Sequence, residues 1–111
     1  MNFELSIKHE NKALENLFVS NFIQDIEKKN EINFIKEEGA NYKTRDIPLS
    51  LIFEIIGGIL SVINIAELIY KYVFEKNITI TISYGKDNLV ITPENVTKDI
   101  IESFLKKHIN D

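Results

Sequence analysis

The stretch from Pro48 to Lys76 restricts the fold of this chain more than any other part of it. Apart from a few polar or small residues, it consists almost entirely of Leu, Ile, Val, Phe and Tyr. The exceptions recur about every three or four residues, which predicts one long helix with a narrow polar stripe. Such a helix would be about 40 Å long, and its glycine pair would kink or split it. The stripe residues are Ser50, Glu54, Gly57, Ser61, Asn64, Lys71 and Glu75.

Amphipathic elements are predicted before this long segment. Alternating apolar and polar residues over 3–8 and over 31–36 predict two strands, and helical spacing over 11–29 predicts a helix between them. Because a strand, a helix and a strand follow one another, we expect a right-handed crossover that joins parallel strands. Residues 37–46 are polar and form the main predicted loop.

A hairpin and a helix are predicted after the long segment. Residues 78–84 and 89–92 alternate like strands around the turn residues 85–88, and Thr97 can cap a last helix. The predicted order is β-α-β-α-β-β-α. Since the strands are amphipathic, we predict one α+β domain over residues 1–111. It would be a two-layer sandwich whose mixed four-stranded sheet carries helices on one face.

The composition argues against several classes of function. A formal net charge of -4, without a stripe of Lys or Arg, argues against a nucleic-acid partner. The absence of cysteine excludes disulfides and thiolate metal sites and suits a reducing compartment. Residues 1–8 have neither the basic nor the apolar region of a signal peptide, so we expect a cytoplasmic protein.

Residues that could carry out catalysis are scarce. His9 and His108 have no carboxylate or hydroxyl group at a recognisable motif distance, and we interpret both as exposed structural residues. The pair Gly57-Gly58 lacks the Lys-Ser/Thr ending of a phosphate-binding loop, and the acidic residues lack calcium-loop spacing. The sequence therefore predicts a non-enzyme with no catalytic, cofactor-binding or metal-binding residues.

The apolar arc of the long segment is wider than one face of a sheet should require. Surplus apolar surface usually marks an interface with another protein. Glu54, on the exposed stripe, and Glu67, at its border, interrupt the arc. They are either ordinary exposed residues, polar anchors in a helix–helix or partner interface, or a proton-titrating pair in a membrane. Together with Gly57 and Gly58, which would kink the helix or allow close packing, they form the candidate interface.

A membrane anchor is the alternative interpretation. The run over 49–74 is long enough to span a bilayer, as in a small pore-former or immunity protein. Yet Glu54, Asn64 and Glu67 lie within it, and a carboxylate near mid-membrane costs about 2.5–3.5 kcal/mol. The amphipathic strands also need this helix as a cover, so we do not expect a membrane span. A third hypothesis is a small-ligand site on the polar sheet face, formed by Ser6, Thr79, Thr81 and Ser83.

The succession of elements resembles the effector-associated constant component family, which consists of small bacterial domains found with conflict and immunity effectors. The segments that carry the resemblance are residues 13–18, 32–35, 57–61, 78–82 and 89–91. The resemblance implies a non-catalytic adaptor, sensor-coupler or regulator encoded beside variable effectors such as proteases, and it implies no site residues. The expected partner is therefore a protein, namely an effector encoded nearby, with self-association as a further option.

Overall fold

The computed structural model describes residues 2–8, 17, 20–22, 24–25, 32–38 and 49–109. The residues among these that lie between 17 and 25 are helical. The other elements are β1 (Phe3–Lys8), β2 (Ile32–Glu38), β3 (Leu49–Ile55), α1 (Gly58–Lys76), β4 (Thr79–Tyr84), β5 (Asp87–Ile91) and α2 (Lys98–Ile109).

The strands form one sheet in the order β2-β3-β1-β4-β5, and each of the described pairings is antiparallel. β1 lies at the centre, with Leu5 opposite Leu51 of β3 on one side and opposite Ile82 of β4 on the other. β4 and β5 are joined by a tight turn in which Gly85 has a φ of 63°. This conformation suits glycine at the first central position of a type II′ turn.

The predicted α+β class is confirmed. The predicted elements occur in the predicted order, and helices pack against one face of the sheet. Residues 49–55 add a further strand before the long helix. β1 and β2 run parallel to each other as predicted, because β3 lies between them and pairs antiparallel with both. The prediction of a mixed sheet is wrong, since β1 and β2 do not pair with each other and the described pairings are antiparallel. His9 and residues 39–48, where most of the predicted loop falls, lie outside the described residues.

The long apolar segment is a strand followed by a helix. Residues 49–55 form β3 because Leu51 and Phe53, two positions apart, both point into the core, while Glu54 on the other face is exposed. The spacing of Ser50 and Glu54 fits a strand as well as a helix, since four residues are two strand repeats and about one helical turn. The apolar pattern of this region therefore fits both structures.

Gly57 lies between β3 and α1, and Gly58 is the first residue of α1, so neither glycine lies in the interior of a helix. Gly58 has a φ of 70°, a left-handed conformation that glycine adopts freely and other residues rarely adopt. A Cβ atom on Gly57 would overlap the Oγ atom of Ser61 and would lie 2.8 Å from the Ser61 Cβ atom. Ser61 is 5% exposed, so the predicted polar stripe is buried at this position. The two glycines therefore form the tight strand-to-helix turn at which α1 begins.

The core lies between one face of the sheet and the helices. Alternate residues of the strands meet one side of α1, the inner side of α2 and Phe22. The rings of Phe3 and Phe53 stack at 5.8 Å and join β1 to β3 within this core. The buried apolar residues are Phe3, Leu5, Ile7, Phe22, Leu51, Phe53, Val62, Ile65, Ala66, Ile69, Val73, Ile78, Ile80, Ile82, Ile91, Ile101 and Leu105.

Polar contacts hold the helices in position. The Tyr72 hydroxyl in α1 donates a hydrogen bond of 2.9 Å to Oδ2 of Asp25, and burial together with this bond raises the pKa of Tyr72 to about 12. The Phe22 ring packs edge-on against Tyr72 at 6.0 Å. The Ile100 N–H donates a hydrogen bond of 3.2 Å to Oγ1 of Thr97, which confirms the predicted Thr97 cap of α2.

The edge strand β2 carries a feature that disfavours the addition of another strand, because it has a bulge between Phe34 and Lys36. Directly after the other edge strand, the Thr92 N–H donates to Oδ1 of Asn95 at 2.8 Å, and the Asn95 N–H donates to the Thr92 carbonyl at 3.1 Å. These two hydrogen bonds close the turn that follows β5.

Candidate interaction surface

Exposed apolar side chains concentrate at the start of α1. Leu60 is 75% exposed, Ile56 is 55% exposed and Ile59 is 50% exposed. Near the end of the same helix, Phe74 is 61% exposed. Single exposed apolar residues are normal on protein surfaces, but a contiguous group indicates a surface that another molecule covers. The described part of α1 therefore carries an exposed apolar surface in addition to its buried one.

A regular row of residues runs along the outward side of α1. Its members are separated alternately by three and four positions, a spacing that keeps side chains on one side of a helix. The other side of α1 packs Val62, Ile65 and Ile69 into the core. We define the outward row as the α1 seam, which consists of Leu60, Ile63, Glu67, Tyr70 and Phe74.

The later half of the α1 seam is aromatic. The rings of Tyr70 and Phe74 stack at 5.9 Å with an interplanar angle of 5°. The Nζ atom of Lys98 in α2 lies 5.7 Å from the centre of the Tyr70 ring, which is a cation–π distance. Beside Tyr70, residues 96–99 line an open depression of about 300 Å³. This end of the seam thus presents aromatic rings with a positive charge at their border.

The four predicted interface residues do not share one surface. Glu67 is exposed in the middle of the α1 seam, and Gly57 and Gly58 lie just before the first residues of that seam. Glu54 is exposed on β3, on the face of the sheet opposite to Phe53 and therefore away from α1. The structure brings three of the predicted residues to one helix and leaves Glu54 apart from them.

Sequence reasoning identified the surplus apolar surface of this region but not the residues that carry it. A helix that begins at Pro48 would expose Ser61, whereas α1 buries Ser61 and exposes Leu60. The signal that identifies the seam is the alternation of three and four positions from Leu60 to Phe74. This alternation becomes readable once the helix is known to begin at Gly58.

A second cluster joins the end of α2 to the β4–β5 hairpin. The Nε2 atom of His108 lies 3.1 Å from Oδ2 of Asp87, and Nζ of Lys107 donates a hydrogen bond of 3.1 Å to the same oxygen. The His108 ring stacks on Tyr84 at 4.4 Å and meets Phe104 edge-on at 5.0 Å. The hydrogen bond from Lys107, followed by the positive charge of Lys107, lowers the pKa of Asp87 from its usual value of 3.8.

The prediction that His108 is exposed is wrong. His108 is 8% exposed because it follows Ile101 and Leu105 on the buried side of α2. The sequence contains this signal, since the three residues have helical spacing. An imidazole buried against aromatic rings is not accessible to a substrate. The cluster therefore holds α2 against the hairpin.

The open face of the sheet carries the hydroxyl groups of the small-ligand hypothesis. Ser6 lies opposite both Ser50 and Thr81, and the Oγ atoms of Ser6 and Ser50 share a hydrogen bond of 3.1 Å. Thr79 and Ser83 are half-buried on the same face. The structure brings the predicted hydroxyls together, but such groups are what the solvent-facing side of an antiparallel sheet normally carries.

The described residues contain no group of three His, Asp or Glu side chains that could hold a metal ion. None of the described helices is long and apolar enough to cross a bilayer, and the segment 49–74 of the alternative membrane-anchor interpretation begins with the strand β3.

No protein-family model, curated protein or solved structure matches this chain.

Proposed function

We propose that this chain is a non-enzymatic protein-interaction module, an adaptor or regulator of a bacterial effector system in the cytoplasm, which binds through the α1 seam. The observation that carries the proposal is the second apolar side of α1, on which Leu60 is 75% exposed and Phe74 is 61% exposed. Covering apolar surface gains roughly 25 cal/mol per Å². A partner that covers the seam therefore removes an unfavourable contact with water.

A contact between helices fits the α1 seam better than the addition of a strand to the sheet. The spacing of the seam presents anchors in one row, which is how an amphipathic helix is recognised. The bulge between Phe34 and Lys36 acts against pairing at the β2 edge of the sheet. We therefore expect the partner to contribute an amphipathic helix.

The effector setting comes from the resemblance of the element order to the effector-associated constant component family. The strands and the closing helix of that pattern are retained, while the long helix is replaced by β3 followed by α1. An adaptor in such a system needs a binding surface and no catalytic group. The expected partner is the product of a neighbouring gene, such as a protease or another effector.

Co-purification with the products of neighbouring genes tests the proposal. We expect the unchanged chain to retain a neighbouring effector and Leu60→Glu to weaken retention at least about tenfold, because a carboxylate is costly in an apolar contact. Val90→Glu is the matched control and should retain the effector. Val90 is also an exposed apolar residue, at 53%, but it lies on β5 and points away from the core side of the sheet.

Two results would contradict parts of the proposal. Retention that is unchanged by Leu60→Glu would exclude the α1 seam as the binding surface. If none of the neighbouring products is retained by the unchanged chain, the effector setting is wrong. Circular dichroism of both variants is needed to establish that each one is folded.

A further inference from the structure

We infer that the α1 seam binds the α1 seam of a second copy of this chain, with the two helices antiparallel about a twofold axis near residues 68 and 69. This inference rests on the proposed function and names the polypeptide that covers the seam. The chain would then be a dimer in the absence of its effector, and an effector helix that binds the same seam would displace the second copy. An isologous contact of this kind is the commonest way in which soluble proteins self-associate.

The spacing of the α1 seam is the first reason. Alternation of three and four positions is the repeat by which two helices pack knobs into holes along their length. The seam runs from Leu60 to Phe74, which corresponds to about 21 Å of helix at 1.5 Å per residue. In an antiparallel pair that places Ile63 opposite the partner's Phe74, the seam residues from Ile63 to Phe74 of the two copies cover each other, and Leu60 lies at each end of the contact.

The position of Glu67 selects the antiparallel arrangement. In a parallel pair, and also in an antiparallel pair centred on residue 67, Glu67 would face the partner's Glu67, and two carboxylates would meet in the middle of an apolar contact. In the antiparallel register that places Ile63 opposite the partner's Phe74, each Glu67 lies opposite the partner's Tyr70 and beside the partner's Lys71. The phenol can donate a hydrogen bond to the carboxylate, and the ammonium group supplies the opposite charge.

The surroundings of Tyr70 strengthen this complementarity. Lys98 of α2 holds its Nζ atom 5.7 Å from the centre of the Tyr70 ring. A carboxylate that arrives at Tyr70 therefore meets two ammonium groups, from Lys71 and from Lys98. The seam itself carries a carboxylate, that of Glu67, which can meet the positive region around the partner's Tyr70. The charge pattern of the seam is therefore self-complementary.

Charge reversal gives a test that is specific for self-pairing. We expect the unchanged chain to be a dimer by light scattering, and Glu67→Lys and Lys71→Glu each to raise the dissociation constant of the dimer at least about tenfold through like-charge contacts. An equimolar mixture of the two variants should form a heterodimer, because each repulsive pair then becomes attractive. Glu75→Lys is the matched control, since Glu75 is exposed on α1 outside the seam, and it should remain dimeric.

Disulfide crosslinking tests the register. The chain contains no cysteine, so introduced thiols are the only ones present. We expect a mixture of Ile63→Cys and Phe74→Cys chains to form the mixed disulfide. Ile63→Cys alone should not crosslink, because antiparallel pairing separates the two copies of residue 63 by about 16 Å along the helices. Efficient crosslinking of Ile63→Cys alone would show a parallel pair and overturn the inferred arrangement.

The outcomes separate this inference from the proposed function. A monomer at all concentrations, or failure of the two charge variants to recombine, overturns the inference. If a monomeric chain still retains an effector in a manner that depends on Leu60, the proposed function stands without it. If the dimer forms as described and no neighbouring product binds, the inference stands and the effector setting fails.

Discussion

Asp87 illustrates how single residues hold this fold together. It lies in β5 and receives both Lys107 and His108 from the last turn of α2. Ion pairs at partly exposed positions contribute little to the free energy of unfolding. The His108 ring, by contrast, is buried against Tyr84 and Phe104. Ring packing therefore fixes the helix end, and the carboxylate orients the imidazole and the ammonium group.

The lowered pKa of Asp87 predicts a specific dependence of stability on pH. A carboxyl group whose pKa is lower in the folded state stabilises the fold above its unfolded pKa and loses that contribution as the pH falls through its folded pKa. We therefore expect the difference in unfolding free energy between the unchanged chain and Asp87→Asn to be largest above about pH 5 and to shrink towards about pH 2. Urea unfolding over this pH range measures the difference.

Lys107→Met is the control for this prediction. The hydrogen bond from Lys107 is the largest cause of the lowered pKa, so its removal should flatten the pH dependence attributed to Asp87. If the Lys107→Met chain keeps the full pH dependence, the Lys107 contact is not its source.

At the scale of elements, the junction between β3 and α1 is the part that sequence patterns predict least well. Leu51 and Phe53 follow a strand repeat, but Ser50 and Glu54 follow both a strand and a helix repeat. The choice is made by tertiary contacts, because β3 pairs with β1 and β2 along its whole length. By contrast, β4, the hairpin turn and α2 were predictable, since alternation, Gly85 and the Thr97 cap are local signals.

The glycines at the junction between β3 and α1 allow a prediction about stability. Gly57→Ala should lower the unfolding free energy by about 1–3 kcal/mol, because the new Cβ atom meets Ser61. In a double-mutant cycle, Ser61→Gly should recover part of this loss because it removes the side chain that the Cβ atom meets. Chemical denaturation of the four proteins measures the coupling.

Gly58→Ala provides the comparison for this cycle. It meets no atom within 4 Å but must adopt a φ of 70°. Its cost of about 1–2 kcal/mol should therefore be independent of Ser61. Equal coupling of both glycines to Ser61 would contradict the steric explanation for Gly57.

At the scale of the whole molecule, most residues that build the fold are separate from those of the α1 seam, and Tyr70 belongs to the seam while also packing against the core. Phe53 is fully buried in the core, whereas Phe74 is 61% exposed on the seam. Sequence patterns predicted the class, most elements and the surplus apolar surface. They could not assign each apolar residue of the long segment to the core or to the outside, because that depends on where Gly58 starts the helix.

A pair of matched substitutions tests this separation. Phe53→Ala should lower the unfolding free energy by about 3–5 kcal/mol, because it leaves a cavity in the core. Phe74→Ala should change it by less than about 1 kcal/mol while weakening the contacts made by the α1 seam. Denaturation and light scattering on both chains measure the two effects. A large loss of stability in Phe74→Ala would contradict the assignment of Phe74 to an interaction surface.

The central place of β1 has a consequence for biosynthesis. β1 is synthesised before both of its neighbouring strands. Leu5 can pair only after Leu51 of β3 and Ile82 of β4 have been synthesised. Pairing of residues so distant along the chain slows folding, because the entropy of closing a long loop is lost before the stabilising contacts form. During translation the backbone N–H and C=O groups of β1 therefore stay without a strand partner for longer than those of the other strands. We expect a chaperone that binds nascent chains to have its greatest effect on β1.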